Sequence, residues 1–96
     1  MGIRENKVER YLDAQVQKLG GITRKWVSPG RDGVPDRIVI LKGVVIFVEV
    51  KTTDGVVSMV QAREHERLKD AGCHVSVVMG QQGVDEFIKV LKNAVT

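Results

Sequence analysis

Asp36, Glu49 and Lys51 have the residue types and spacing to handle a divalent cation. Glu49 and Lys51 stand two apart in Phe47-Val48-Glu49-Val50-Lys51, and side chains two apart on a strand project from one face. The surrounding run is apolar. A carboxylate and an ammonium beside a sheet interior are costly unless paired or metal-bound. Taken alone, the pair reads equally well as a surface ion pair at a frayed strand end. Asp36 changes the weighing. Lys42-Gly43 joins the run 36–41 to the run 44–51 at hairpin spacing, glycine supplying the positive φ. With Leu41 facing Val44, Asp36 lies opposite Glu49. Two carboxylates directly across adjacent strands repel at neutral pH and are stable together when a divalent cation sits between them. The plainer alternative is that Asp36 caps the turn before its strand.

The elements that must position these groups follow from periodicity. Residues 3–19 predict a helix, with Val8, Tyr11, Leu12, Val16 and Leu19 on one face and Gly20-Gly21 ending it. Residues 22–27 predict a strand, followed by the turn-rich Ser28-Pro29-Gly30-Arg31-Asp32-Gly33. Pro35 cannot donate to a ladder, so the next strand begins at or just after Asp36. The run 44–51 is apolar on both faces, the pattern of a central strand covered on both sides. Ser58 with Gln61 is a capping-box pattern opening a helix that runs to Ala71, with Gly72 capping it. Val75 to Met79 is a further strand, expected to lie parallel to a neighbour after the helical crossover. Gly83 precedes a final amphipathic helix carrying Val84, Phe87, Ile88, Leu91 and Val95. The expected fold is a single α/β domain, with a mixed central sheet of about four strands and helices on both faces.

Other residues bear on the same chemistry. Glu5 and Glu9 lie on one edge of the first helix's apolar stripe, where an acid can reach the sheet. For either one alone, a solvated surface role is the plainer reading. Gln61 has two readings, as the third residue of the capping box or as an amide reaching towards Glu49 and Lys51. An all-oxygen ligand set suits Mg²⁺ or Mn²⁺ and not zinc. Lys51 would then orient water or stabilise transition-state charge.

Residues 1–37 hold eight Lys/Arg against five Asp/Glu, and residues 38–96 hold seven of each. The whole +3 excess therefore lies in the first part of the chain. That bias is compatible with a phosphate-backbone partner without establishing one. Arg24, Lys25, Arg31 and Arg37 are the candidates for phosphate contacts, with solvated surface charge as the plainer role, above all for Lys25. The lone cysteine, Cys73, can form no internal disulfide and no thiolate metal site. No apolar run is long enough to span a membrane and the first residues lack a signal core, so a soluble cytoplasmic protein is expected.

Gly33-Val34-Pro35-Asp36-Arg37, Phe47-Val48-Glu49-Val50-Lys51 and Ser58 with Gln61 resemble the VRR-NUC branch of the PD-(D/E)xK nucleases. Glu9-Arg10-Tyr11-Leu12, Leu19-Gly20-Gly21 and Val27-Ser28-Pro29-Gly30-Arg31 are similar too, so the resemblance spans residues 8–79. It implies a restriction-endonuclease-like core and DNA phosphodiester hydrolysis with Mg²⁺ or Mn²⁺. By position it makes Glu9, Asp36 and Glu49 the acidic metal site, with the Val50 carbonyl as a further ligand, Lys51 as the motif lysine and Gln61 as the helix glutamine. Stand-alone members of this size resemble Holliday-junction-resolving enzymes, which implies a homodimer acting on branched DNA. Two rival classes stand beside this: a nucleic-acid-binding module that keeps the fold without the chemistry, and a protein-interaction subunit whose acids are structural. The intact Asp36, Glu49 and Lys51 set argues against the first, and a metal-dependent nicking assay separates all three.

Overall fold

The apolar stripe of the first helix is buried as its spacing predicts: Val8, Leu12 and Val16 all lie in the core. The computed structural model describes residues 3–96, with side chains from residue 5 onward. The stripe belongs to α1 (Ile3–Lys18), followed by β1 (Ile22–Lys25), β2 (Arg37–Leu41) and β3 (Val44–Lys51). Then come α2 (Met59–Asp70), β4 (His74–Met79) and α3 (Gly80–Val95). The sheet order is β1-β2-β3-β4. The first three strands pair antiparallel, and β4 pairs parallel with β3 after the α2 crossover. The architecture is the expected α/β domain with a mixed four-stranded sheet.

Strand alternation sorts the sheet into two unlike faces. Val39, Leu41, Val48, Val50 and Val78 enter the core together with Val84, Phe87, Ile88 and Leu91 of α3. Both α1 and α3 pack on this face and against each other, and the Tyr11 hydroxyl donates to Asp85 Oδ1 at 2.6 Å to tie them together. The opposite face carries Val45, Phe47, Glu49 and Lys51, and α2 covers only one corner of it. Val45 is 42% exposed and Val77 40%. The expectation that β3 is covered on both sides therefore holds only for its C-terminal half, because among the described residues no helix lies over the rest of the second face.

Two boundaries differ from the sequence reading by two residues or more. β1 stops at Lys25, although Trp26 N–H still donates to the Asp36 carbonyl at 3.0 Å. α3 begins at Gly80, three residues ahead of Gly83. Gly80 takes φ +65°, and a Cβ there would lie 2.6 Å from Thr53 Oγ1, so glycine is required for the close turn from β4 into α3. Among the described residues, no helix is long and apolar enough to cross a membrane.

Candidate active site

The β2–β3 register runs from Leu41↔Val44 to Arg37↔Val48. Asp36 therefore follows directly opposite Glu49, as hairpin counting predicts. Pro35 is buried and has no N–H, and the ladder ends before it. Beyond that point the Asp36 side chain takes over: its Oδ2 accepts the Val50 N–H at 2.9 Å. One carboxylate is thus tied to the strand that carries the other, which also places the Val50 main chain at the site.

Glu49 is 1% exposed. Its Oε2 accepts from Gln61 Nε2 at 3.1 Å and lies 3.5 Å from Lys51 Nζ. Its Oε1 is buried without a hydrogen-bond partner. Burial, and then the neighbouring Asp36 carboxylate, push the Glu49 carboxyl up to about 8 against the pull of Lys51. Removing water from an acid beside a second acid favours the proton over the charge, unless a cation is present to take the proton's place.

The two readings of Gln61 turn out to be compatible. Its Oε1 accepts the Ser58 N–H at 3.0 Å while Ser58 Oγ accepts the Gln61 N–H at 3.1 Å, which completes the capping box. Its Nε2 remains free to donate to Glu49. The cap of α2 and the orientation of Glu49 are therefore one device. The loop before β2 presses against the same turn: a Cβ on Gly33 would meet the Val60 carbonyl oxygen at 2.7 Å.

His65, one helical turn after Gln61, was not singled out by sequence. It is 5% exposed, and its Nε2 stands 3.6 Å from Glu49 Oε1. Burial, with Lys69 adding to it, lowers the imidazole pKa and favours the neutral ring. The available signal was the four-residue spacing from Gln61, which puts both side chains on one helical face.

Glu9, not Glu5, is the helix acid that reaches the sheet. Glu9 is 2% exposed and Glu5 is half-buried. Glu9 Oε1 lies 3.1 Å from Arg37 Nε and 3.9 Å from Lys25 Nζ, yet neither of its oxygens has a hydrogen-bond partner. Burial pushes the Glu9 carboxyl above the ordinary range; Lys25 and Arg37 offset this in part, while Asp36 and Asp13 add to it.

The three arginines expected at phosphate divide. Arg37 is half-buried and its guanidinium is engaged by Glu9 and by Asp13 Oδ2 at 3.0 Å, which leaves it unavailable to a phosphate in this arrangement. Arg24 is exposed and donates to the Thr23 carbonyl. Arg31 lies 3.8 Å from Glu64 and lines a cleft of about 270 Å³ together with Arg63 and Arg67, neither of which the sequence reading had picked out.

As the side chains stand, no three His, Cys, Asp or Glu residues among those described converge closely enough to hold a metal ion. The donors nevertheless fit a hard cation. Asp36 and Glu49 are adjacent oxygen donors, and Glu49 Oε1 is a buried acceptor to which nothing donates. Glu9 would join them by giving up its present partners.

No family model matches the chain. A curated relative, the "Putative nuclease p44" of Acyrthosiphon pisum secondary endosymbiont phage 1, is 45% identical over 87 residues. That match covers 90% of this chain and 92% of the relative. A solved structure described as a VRR_NUC domain superposes with a TM-score of 0.83 at 37% identity, covering 92% of this chain and 97% of that one. The Holliday junction resolvase Hjc of Archaeoglobus fulgidus superposes with a TM-score of 0.60 at 17% identity, over 78% of this chain and 67% of its own, a likeness of fold alone. With Asp36, Glu49 and Lys51 gathered at one end of the sheet, the chain belongs to the VRR-NUC family of nucleases.

Proposed function

We propose that this nuclease is an Mg²⁺- or Mn²⁺-dependent DNA endonuclease that works inside the cell as a symmetric homodimer on branched DNA. The observation that carries the reading is the state of Glu49: buried, facing Asp36, with Oε2 held by Gln61 and Lys51 and Oε1 unsatisfied. A structural ion pair would leave no such acceptor, and apolar residues would fill the space at less cost. In this reading Asp36 and Glu49 hold the cation, with the Val50 carbonyl and Glu9 as further ligands. When bound, the cation supplies positive charge that eases ionisation of water and offsets charge on the phosphate oxygens. Lys51 acts through its own charge, placed on the strand so that it faces the reacting phosphate. Gln61 keeps Glu49 from rotating. Arg24 and Arg31 contact flanking phosphates, and the cleft shared with Arg63 and Arg67 extends that path.

Branched DNA and the dimer rest on size and symmetry. One such site cuts one strand, and resolving a four-way junction needs two cuts related by near two-fold symmetry. A homodimer presents two sites in that relation. Sedimentation with and without a four-way junction, alongside cleavage of junction and linear duplex in Mn²⁺, tests this. A dimer that prefers the junction supports it. A strict monomer that cuts both equally leaves only a metal-dependent nuclease.

A further inference from the structure

Two buried polar atoms on opposite sides of one gap have no hydrogen-bond partner: Glu49 Oε1 and His65 Nε2. They face each other at 3.6 Å, just beyond hydrogen-bond length. A buried donor or acceptor without a partner is costly, and natural structures rarely leave two of them side by side. The Gln61 and Lys51 contacts of the Glu49 carboxylate both fall on Oε2, and the Asp36 carboxyl stands beside the group as well. Among the described residues, Oε1 is left without a donor from any neighbouring element. Gln61 and His65 share one face of α2, and that helix is fixed at its start by the capping box through Gln61 itself. The helix thus offers Glu49 two donors, one for each oxygen.

We propose that His65 is a positioning residue for Glu49. A shift of about half an ångström brings Nε2–H to hydrogen-bond distance of Oε1. Gln61 and His65 then grip the two carboxylate oxygens from one helix, which fixes the plane in which Glu49 presents its remaining lone pairs. The imidazole does not touch the cation. It acts by orienting the ligand, the role that partners behind a ligand play in metal sites. The inference rests on the metal-site reading of Glu49 given above.

The experiment is titration of Mn²⁺ into the DNA-free protein, followed by calorimetry. Two donorless variants, His65→Leu and the volume-keeping His65→Phe, are compared with His65→Gln, which restores an N–H near the same place. Melting in EDTA selects whichever donorless variant folds like the wild type. That variant should bind Mn²⁺ about 10- to 100-fold more weakly, and His65→Gln should recover most of the loss. A role in packing alone would not be rescued by a flexible carboxamide. Unchanged Mn²⁺ affinity in the donorless variant overturns the proposal, as does a failure of His65→Gln to rescue. Nitrogen hyperfine coupling in the spin-echo spectrum of the wild-type Mn²⁺ complex would make His65 a direct ligand and overturn it too. A wild type that binds no Mn²⁺ would overturn the metal-site reading itself, and the proposal with it.

Discussion

The two faces of the sheet do opposite work. On one, α1 and α3 close over Val39, Leu41, Val48, Val50 and Val78, and the fold is held by apolar burial. On the other, α2 covers a single corner, and where it meets the sheet lie Glu49 and Lys51 of β3 and His65 of α2 itself, charged or polar groups that burial penalises. β3 belongs to both: its even-numbered residues pack the core, and its odd-numbered ones include the candidate site groups Glu49 and Lys51. One strand can serve both ends because alternation keeps the two sets apart. The contrast implies that damage to the first face should appear as lost stability and damage to the second as lost activity.

Among substitutions that leave the carboxylates in place, the largest expected departure is Lys51→Ala. It should lower the cleavage rate by on the order of 10² to 10³, the usual cost of deleting a charge-stabilising donor, while Mn²⁺ affinity and melting temperature change little. A fall of less than about tenfold, roughly 1.4 kcal/mol of barrier, would remove Lys51 from the reaction. On the other face, Leu12→Ala should cost about 2–5 kcal/mol of stability in denaturant unfolding, with the rate per folded molecule unchanged. A variant that kept its stability and lost its rate would break the division.

The pH dependence comes next. Glu49 is raised to about 8, so between the ordinary carboxylate range and that value the folded protein holds a proton that the unfolded chain has released. Stability of the metal-free protein should therefore be fully present at low pH and fall as pH rises towards about 8. Glu49→Gln should flatten that slope, and a wild-type slope of the opposite sign would contradict the assignment of Glu49. The smallest effect, and the one that crosses the divide, is Gln61→Ala. It removes the side-chain arm of the capping box, leaving Ser58 Oγ on the residue-61 N–H, at up to about 1 kcal/mol, and takes the amide donor from Glu49 Oε2, so stability and rate should fall together.

Much of this was legible in the sequence, because hairpin counting is rigid. Lys42-Gly43 sets the register, and the register sets Asp36 against Glu49 without knowledge of any contact. β3 and the capping box were likewise readable from alternation and spacing. His65 was not, since a histidine in a polar helix carries no signal until something is known to lie opposite it. The open half of the second face was hidden for a related reason: Val45 and Phe47 look like core, and only the short reach of α2 leaves Val45 exposed. The start of α3 was obscured by Gly83, which reads as the residue before a helix, although Gly80 is the residue that lets the chain turn past Thr53 into it.

The most direct test of the central claim uses Asp36→Ala and Glu49→Ala, each assayed for cleavage in Mn²⁺ and for DNA binding in Ca²⁺. If these carboxylates hold the cation and do not grip the phosphates, both variants should lose cleavage and still bind DNA. Wild-type cleavage by either variant would contradict the assignment.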